Sequence, residues 1–146
     1  MKFIFISIKI IFLYFISFSS SYSIEAPNIK NLIIYEEKQK IKFFDFLNEA
    51  GNKVNLKDFK SELIILNFWA TWCAPCKEEM PSLNTLQIRN DEKKIKIIPI
   101  NIGGENINTS KKFFEDLLIE ELQVFVGDGA AIAKNLKLRG LPTTLF

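Results

Sequence analysis

The chain contains two cysteines, Cys73 and Cys76, and they are separated by only two residues. The apolar run 63–69 precedes them and predicts a buried strand, while the residues after Cys76 favour a helix. A sulfur at the start of a helix lies near the positive end of the helix dipole, which favours its thiolate form. The spacing and position of this pair therefore predict thiol-disulfide exchange, with Cys73 as the more exposed sulfur.

A Cys-x-x-Cys pair also occurs in structural zinc sites and in inert disulfides. A structural zinc ion needs about four ligands, whereas this chain has no histidine and no further cysteine. We therefore expect no metal site formed by this chain alone, and a site shared between molecules stays open. A disulfide that closes so short a loop constrains the unfolded chain little. We interpret the pair as a redox-active Cys73–Cys76 disulfide and expect no other cofactor.

The composition predicts one folded domain rather than a disordered chain, since 48% of its 146 residues are hydrophobic and 14 are phenylalanines. Without histidine, Ser-His and Cys-His nucleophilic catalysis are excluded. Lys2 and Lys9 lie in the first segment, so 17 of the 19 basic residues remain to balance 17 acidic ones. We expect no nucleic-acid partner for this formally neutral domain.

The N-terminal segment has the order of parts that is typical of an export signal. Residues 1–23 comprise a basic start, an apolar stretch and a serine-rich end with small residues before a cleavage site. The same segment is long enough to span a bilayer as an uncleaved anchor, so both interpretations stay open. We predict a signal peptide or membrane anchor at 1–23, a linker at 24–39 and an exported domain at 40–146.

The elements that position the cysteines follow from hydrophobic periodicity and turn residues. The predicted strands are 41–46, 53–56, 62–69, 95–102, 123–126 and 141–146, and the predicted helices are 75–90, Thr109 or Ser110 to Glu121, and 130–136. This alternation predicts an α/β fold, with an N-terminal hairpin and a central, largely parallel sheet flanked by helices on both faces. The cysteines then lie at the carboxyl edge of a central strand, where open α/β sheets bind their ligands.

Three segments, 69–76, 77–81 and 140–144, together resemble the thioredoxin superfamily, and within it the TlpA/ResA-like branch of exported thiol-disulfide oxidoreductases. Their sequences are WATWCAPC, KEEMP and GLPTT. The resemblance covers about residues 40–146 and implies a thioredoxin-like fold that opens with a β-hairpin.

Members of this branch continue beyond the last strand of this sequence with another strand and a closing helix. We therefore expect the C-terminal strand and helix to be missing from the fold, with Leu145 and Phe146 or their neighbours exposed. The chain is then a fragment, a truncated product or a genuine active protein, and the sequence leaves these alternatives open.

The resemblance also implies roles for individual residues. Cys73 corresponds to the attacking thiolate and Cys76 to the resolving thiol. Pro142 matches the family's cis-proline, which binds the thiol partner together with the backbone of Leu141. Trp72 is expected to line the same partner surface.

The proton chemistry is expected to differ from that of plain thioredoxin. Asn67 stands where thioredoxin has a buried aspartate, and Glu79 matches a glutamate that this branch carries three residues after its second cysteine. On a helix, Glu79 shares a face with Cys76 and is placed to accept its proton. The alternative is that Glu79 is an ordinary surface glutamate.

The resemblance implies an exported enzyme that reduces disulfides of extracytoplasmic proteins, with cytochrome c maturation as one known role of similar proteins. Its partners are then extracytoplasmic protein thiols or disulfides and an electron-donor thiol protein, with the enzyme in the periplasm or on the outer face of the cytoplasmic membrane. The direction of electron flow is not fixed by the two residues between the cysteines. Alternative functions are a peroxiredoxin-like peroxidase, a non-catalytic membrane-tethered binding module and a truncated inactive remnant.

Overall fold

The structure is a computed structural model that describes residues 40–146. The predicted signal or anchor at 1–23 and the linker at 24–39 lie outside the described residues. The elements are β1 (Asp45–Asn48), β2 (Lys53–Asn55), a 3-10 turn (Leu56–Asp58), β3 (Leu63–Trp69), α1 (Ala74–Ile88), β4 (Ile95–Asn101), α2 (Ile107–Asp116), β5 (Phe125–Val126), α3 (Gly129–Leu136) and β6 (Thr143–Leu145).

Six strands form one mixed sheet in the order β2-β1-β5-β4-β3-β6. Strand β4 pairs in parallel with both β3 and β5, which confirms the predicted parallel core. Strand β6 runs antiparallel to β3, and β1 runs antiparallel to both β2 and β5. The predicted α/β class and N-terminal hairpin are therefore confirmed.

The opening hairpin begins later than the sequence pattern predicts. Strand β1 starts at Asp45, whereas alternation predicts a strand from Ile41. The pairing explains the difference, because Asp45 lies opposite Asn55, the last residue of β2, and residues 41–44 have no strand partner there. Gly51 allows the tight connection by adopting a φ of +79°, a region that other residues rarely occupy.

Helix α2 begins earlier than the predicted start at Thr109 or Ser110. The side chain of Asn106 accepts a hydrogen bond from the backbone N–H of Thr109 at 2.9 Å, and asparagine is among the strongest N-cap residues. Ser110 is buried inside the helix instead. The helix ends at Asp116, since Leu118 takes a left-handed φ of +53° that cannot continue a right-handed helix.

The core divides between the two faces of the sheet because successive strand residues point to opposite sides. We call the side covered by α1 and α2 the cysteine face. Its buried cluster comprises Trp69, Ala70, Cys73, Cys76, Met80, Ile97, Phe114, Ile119, Leu122 and Val124. We call the other side the phenylalanine face. Its buried cluster comprises Phe44, Phe46, Leu56, Leu66, Phe68, Ile98, Ile100, Phe125 and Ile132.

Strand β6 forms one edge of this sheet, beside β3. Phe146 is 78% exposed, as expected, whereas Leu145 is half-buried because it packs against the phenylalanine face. Within residues 40–146, none of the helices combines the length and the apolar character needed to cross a bilayer.

Candidate functional site

The Cys73–Cys76 pair lies where β3 gives way to α1. Cys73 is the N-cap of α1, and its sulfur accepts a hydrogen bond from the backbone N–H of Cys76 at 3.3 Å. The two sulfurs form a disulfide with an S–S distance of 2.04 Å. Cys73 is 5% exposed and Cys76 is 0% exposed. Of the two residues, Cys73 is therefore the one that solvent reaches.

The local sequence favours a helix that starts at these cysteines. Pro75 lies in the first turn of α1, where its missing N–H is not needed and its fixed φ suits a helix. The unpaired N–H groups of this turn place positive potential near Cys73. No acidic residue lies in the first turn. The helix start is therefore suited to stabilise a Cys73 thiolate.

The segment before β6 approaches the same end of the sheet. The Leu141–Pro142 peptide bond is cis, as the resemblance implies. Thr143 lies opposite Phe68 in the antiparallel register of β6 and β3. This register places Pro142 beside the end of β3 that leads to the cysteines. Leu141 is half-buried and packs against the cluster that contains both cysteines.

Asn67 of β3 donates a hydrogen bond to Glu79 of α1, which links the sheet to the helix. The Nδ2 of Asn67 donates to Glu79 Oε1 at 2.6 Å and to Thr144 Oγ1 at 3.0 Å. Burial raises the pKa of Glu79, and the hydrogen bond from Asn67 opposes this effect by lowering the pKa. Glu79 is half-buried and lies three positions after Cys76 on α1, so both share one face of the helix. Glu79 is thus a half-buried carboxyl that is hydrogen-bonded to a fully buried strand residue.

Gly103 and Glu105, which the sequence analysis does not single out, hold the loop before the cysteines. The backbone N–H of Thr71 donates to both carboxylate oxygens of Glu105 at 3.3 and 3.4 Å, and the Thr71 hydroxyl donates to the same carboxylate. The indole N–H of Trp72 donates to the Gly103 carbonyl at 3.4 Å, while Trp72 remains 68% exposed. A Cβ at Gly103 would lie 2.5 Å from the Ala70 Cβ, so a larger residue there would displace the loop.

A topological signal for Glu105 is present in the sequence. The loops that follow β3 and β4 lie at the same edge because these strands are parallel neighbours. Polar residues soon after the second strand are therefore candidates for contact with the cysteine loop. The sequence does not specify which of these polar residues contacts the cysteine loop.

Trp69 forms part of the packing beneath the disulfide. Its ring lies 4.7 Å from that of Phe113 and 5.3 Å from that of Phe114, measured between centroids. Trp69 is fully buried, and its indole N–H has no hydrogen-bond partner in the described part of the chain. These contacts join β3 to α2 and agree with a packing role for Trp69 rather than a chemical one.

The described residues contain no group of three or more cysteine, histidine, aspartate or glutamate side chains arranged to hold a metal ion. The carboxylates of Glu79 and Glu105 accept hydrogen bonds from Asn67 and Thr71, respectively, while the Oδ1 of Asn67 has no partner among the described residues. The disulfide and the half-buried Glu79 carboxyl on the same helix are suited to sulfur and proton chemistry.

Comparison with protein families matches residues 38–146 to the AhpC/TSA family. The thiol-disulfide oxidoreductase ResA of Bacillus thuringiensis subsp. konkukian is 36% identical over 96 residues, which cover 66% of this chain and 54% of that protein. The chain thus spans about half the length of the curated relatives it matches.

Two solved structures have a fold similar to that of this chain. The thioredoxin domain of a thiol-disulfide oxidoreductase from Bacteroides vulgatus has a TM-score of 0.63 at 19% identity, covering 72% of this chain and 76% of that chain. An exposed lipoprotein thioredoxin from Streptococcus pneumoniae has a TM-score of 0.59 at 20% identity, covering 70% and 78%. These likenesses confirm the predicted thioredoxin-like fold.

Proposed function

We propose that this chain, which belongs to the AhpC/TSA family, exchanges disulfides with other proteins through Cys73 and Cys76. The observation that carries this proposal is the disulfide at the start of α1, with Cys73 as the N-cap and Cys76 fully buried behind it. A relative that is 36% identical is named a thiol-disulfide oxidoreductase, which supports the same chemistry.

The reaction starts from the reduced pair. The Cys73 thiolate attacks one sulfur of a partner disulfide, forming a mixed disulfide and releasing the other partner sulfur as a thiolate. Cys76 then loses its proton and attacks the Cys73 sulfur. This second step forms the Cys73–Cys76 disulfide and releases the remaining partner sulfur. Two electrons pass to the partner, whose two thiolates each take a proton.

Glu79 is the proposed acceptor of the Cys76 proton. Its carboxyl is held on the inner side of α1 by the 2.6 Å hydrogen bond from Asn67. A raised pKa brings a carboxylate closer to the neutral range in which it takes up a proton readily. Glu79 therefore activates the resolving step rather than the first attack.

The proposed partner surface surrounds Cys73. Trp72 supplies an exposed aromatic ring on one side, and its indole N–H is held by the Gly103 carbonyl. On the other side, the half-buried Leu141 and Pro142 offer backbone groups to an extended segment of the partner. A protein segment that carries a disulfide fits such a surface better than a small molecule does, because the surface combines an exposed ring with the backbone that leads into an edge strand.

We further propose that the chain reduces protein disulfides outside the cytoplasm. This proposal is supported by the signal-like order of residues 1–23 and by the resemblance to exported reductases. Cytochrome c maturation is one process that needs such reduced protein thiols. A reporter that is active only after export, fused after the first 26 residues, is expected to give signal. A silent reporter would contradict this localisation.

A direct test mixes the reduced chain with a peptide that contains one internal disulfide and follows peptide thiols over time. The wild-type chain is expected to reduce the peptide, and Cys73→Ser is expected to reduce the rate to background. A parallel reaction with hydrogen peroxide tests peroxidase activity. Faster reduction of peroxide than of the peptide would contradict the proposed function, as would full activity of Cys73→Ser.

A further inference from the structure

Two hydrogen bonds hold the side chain of Asn67, and both come from the same side of its amide. Its Nδ2 donates to Glu79 Oε1 at 2.6 Å and to Thr144 Oγ1 at 3.0 Å. Its Oδ1 has no partner among the described residues, although the side chain is fully buried. The two bonds of Nδ2 therefore set the direction in which this amide points, and the bond to Thr144 does so independently of Glu79.

The pairing of two strands fixes the position of Thr144. Thr144 of β6 lies directly opposite Asn67 of β3 in the antiparallel register, and such pairs place their side chains on the same face of the sheet, about 5 Å apart. Thr144 is exposed, so its own O–H can donate to solvent while its oxygen accepts from the buried amide. Thr143 points to the opposite face, and its hydroxyl donates to the Gly140 carbonyl instead. Of the two hydroxyls of β6, only that of Thr144 binds Asn67.

We infer that Thr144 is a positioning residue for the proton acceptor of the resolving step, because its hydroxyl aims the Asn67 amide at Glu79. The inference rests on the proposed function, in which Glu79 takes the proton of Cys76. Strand β6 begins directly after the cis Leu141–Pro142 bond. The segment proposed to bind the partner therefore continues into the strand that orients the amide beside the proton acceptor.

The charged surroundings of Glu79 are simple. Strands β3 and β6 contain no charged residue, and its charged neighbours on α1, Lys77 and Glu78, are both exposed. Burial raises the pKa of Glu79, and the Asn67 hydrogen bond lowers it. This bond lowers the pKa because Nδ2 binds the ionised carboxylate more strongly than the neutral carboxyl. An amide that is aimed less well should therefore leave Glu79 with a higher pKa.

The first test titrates the Glu79 carboxyl by NMR in the oxidised chain, where neither cysteine has a titrating thiol. Thr144→Val removes the hydroxyl and keeps a similar volume. Its Glu79 midpoint should rise by about 0.5 pH unit, which lies in the range of one neutral hydrogen bond. Thr144→Ser keeps the hydroxyl and should retain the wild-type midpoint. An unchanged or lowered midpoint in Thr144→Val would overturn the inference, as would an equal rise in Thr144→Ser.

The matched control is Thr143→Val. It makes the same change at the neighbouring position of β6, where the hydroxyl binds the Gly140 carbonyl rather than Asn67. The Glu79 midpoint of this variant should equal that of the wild type. A rise as large as that in Thr144→Val would assign the effect to β6 in general and would overturn the specific role of Thr144.

A double-mutant cycle tests whether Thr144 acts through Asn67. Asn67→Leu removes the amide that joins Thr144 to Glu79. In this background, Thr144→Val should cause no further change of the Glu79 midpoint, because the two residues act as one unit. A further rise as large as that in the wild-type background would show that Thr144 acts by another route, and it would overturn the inference.

The last measurement links Thr144 to the reaction. The rate of the resolving step is followed against pH in the wild type and in Thr144→Val, and the kinetic midpoint should rise by the same amount as the NMR midpoint. A kinetic midpoint that stays constant while the NMR midpoint rises would overturn the role of Thr144 in resolution. A normal resolving rate in Glu79→Gln would instead overturn the proposed role of Glu79 in exchange, and the NMR titration would still decide whether Thr144 aims the amide.

Discussion

The two faces of the sheet bury different kinds of side chain. On the cysteine face, amide and hydroxyl groups are buried among the apolar residues, namely Asn67, Asn84, Gln87, Asn101 and Ser110. On the phenylalanine face, aromatic rings contact one another in a chain of pairs formed by Phe44, Phe46, Phe59, Phe68 and Phe125. The cysteine face thus contains several buried hydrogen-bonding side chains, whereas the phenylalanine face is held together mainly by apolar contacts.

The buried amides fix the helix that carries the chemistry. Gln87 of α1 accepts from the N–H of Ile97 at 2.8 Å and donates to the carbonyl of Ile95 at 3.1 Å, which ties the end of the helix to β4. Asn84 binds the backbone of Glu121 at 3.0 Å. Hydrogen bonds of this kind fix orientation, whereas apolar packing alone tolerates exchange of side chains. The comparison suggests that the phenylalanine face supplies stability and the cysteine face supplies geometry.

The phenylalanine face is also less completely covered. A cleft of about 290 Å³ opens on it, with Phe43, Phe59, Leu145 and Phe146 among its lining residues. Phe43 is 65% exposed and Phe146 is 78% exposed. In contrast, both cysteines of the disulfide are buried and belong to the core cluster of the cysteine face. Substitutions around the cleft should therefore have little influence on exchange.

The largest expected effect on stability is that of Phe46→Ala. Phe46 is 2% exposed and forms an edge-to-face pair with Phe125 at 5.3 Å, so its removal should lower the free energy of unfolding by about 3–5 kcal/mol. The exchange rate per folded molecule should not change. Urea unfolding measures the first quantity, and Phe43→Ala, at an exposed position on the same side, is the control. An equal loss of unfolding free energy in Phe46→Ala and Phe43→Ala would contradict the proposed role of the phenylalanine face in stability.

The next effect is kinetic and belongs to the cysteine face. Glu79→Gln should slow the resolving step on the order of 10²-fold, because the proton acceptor for Cys76 is lost. Glutamine keeps an oxygen that accepts from Asn67, so the fold should be retained. Rapid-quench analysis of the mixed disulfide measures this rate. Slower formation of the mixed disulfide, rather than slower resolution, would assign Glu79 to a different step.

A smaller effect is expected from Glu105→Gln. The change replaces charge-assisted hydrogen bonds to Thr71 by neutral ones, which should cost about 1 kcal/mol of stability. Because this contact holds the loop that presents Trp72, KM for a protein disulfide should rise while reaction with a small disulfide stays unchanged. Glu120→Gln, at an exposed position, provides the control. An equal rise of KM for the protein disulfide in Glu105→Gln and Glu120→Gln would contradict a specific role for Glu105.

The smallest expected effect is a pH dependence of stability. The folded state raises the pKa of Glu79 above its ordinary value of 4.5. The protonated form therefore favours folding, and this contribution is complete below the ordinary pKa and is lost as pH rises through the folded pKa. Glu79→Gln should remove this decline, so its stability relative to wild type should increase from acidic to neutral pH. Urea unfolding at several pH values tests the sign, and an opposite trend would contradict it.

Some of this site is predictable from the sequence. The helix start at the cysteines follows from a short motif, whereas the cis bond before Pro142 and the burial of Cys76 agree with the resemblance to the thioredoxin superfamily. The start of α2 does not follow from the local sequence. Thr109 and Asn106 both suit an N-cap, and which of them caps the helix depends on the burial of Ser110.

Contacts between layers are harder to predict. The sequence places Glu79 on the same side of α1 as Cys76, but it does not give the distance from that helix to Asn67 on β3. Glu105 is separated by 34 residues from Thr71, and their contact forms only because two loops meet at one edge of the sheet. Such contacts depend on how strands and helices pack, which periodicity alone does not define.

The most direct test of the account is to trap the mixed disulfide and identify the cysteine that carries it. Reduced Cys76→Ser and Cys73→Ser are each mixed with the disulfide peptide, quenched with acid and analysed by mass spectrometry of the digested chain. The account predicts that Cys76→Ser accumulates peptide on Cys73, because the resolving thiol is absent, and that Cys73→Ser accumulates little. Accumulation on Cys76 in Cys73→Ser, with none on Cys73 in Cys76→Ser, would contradict it.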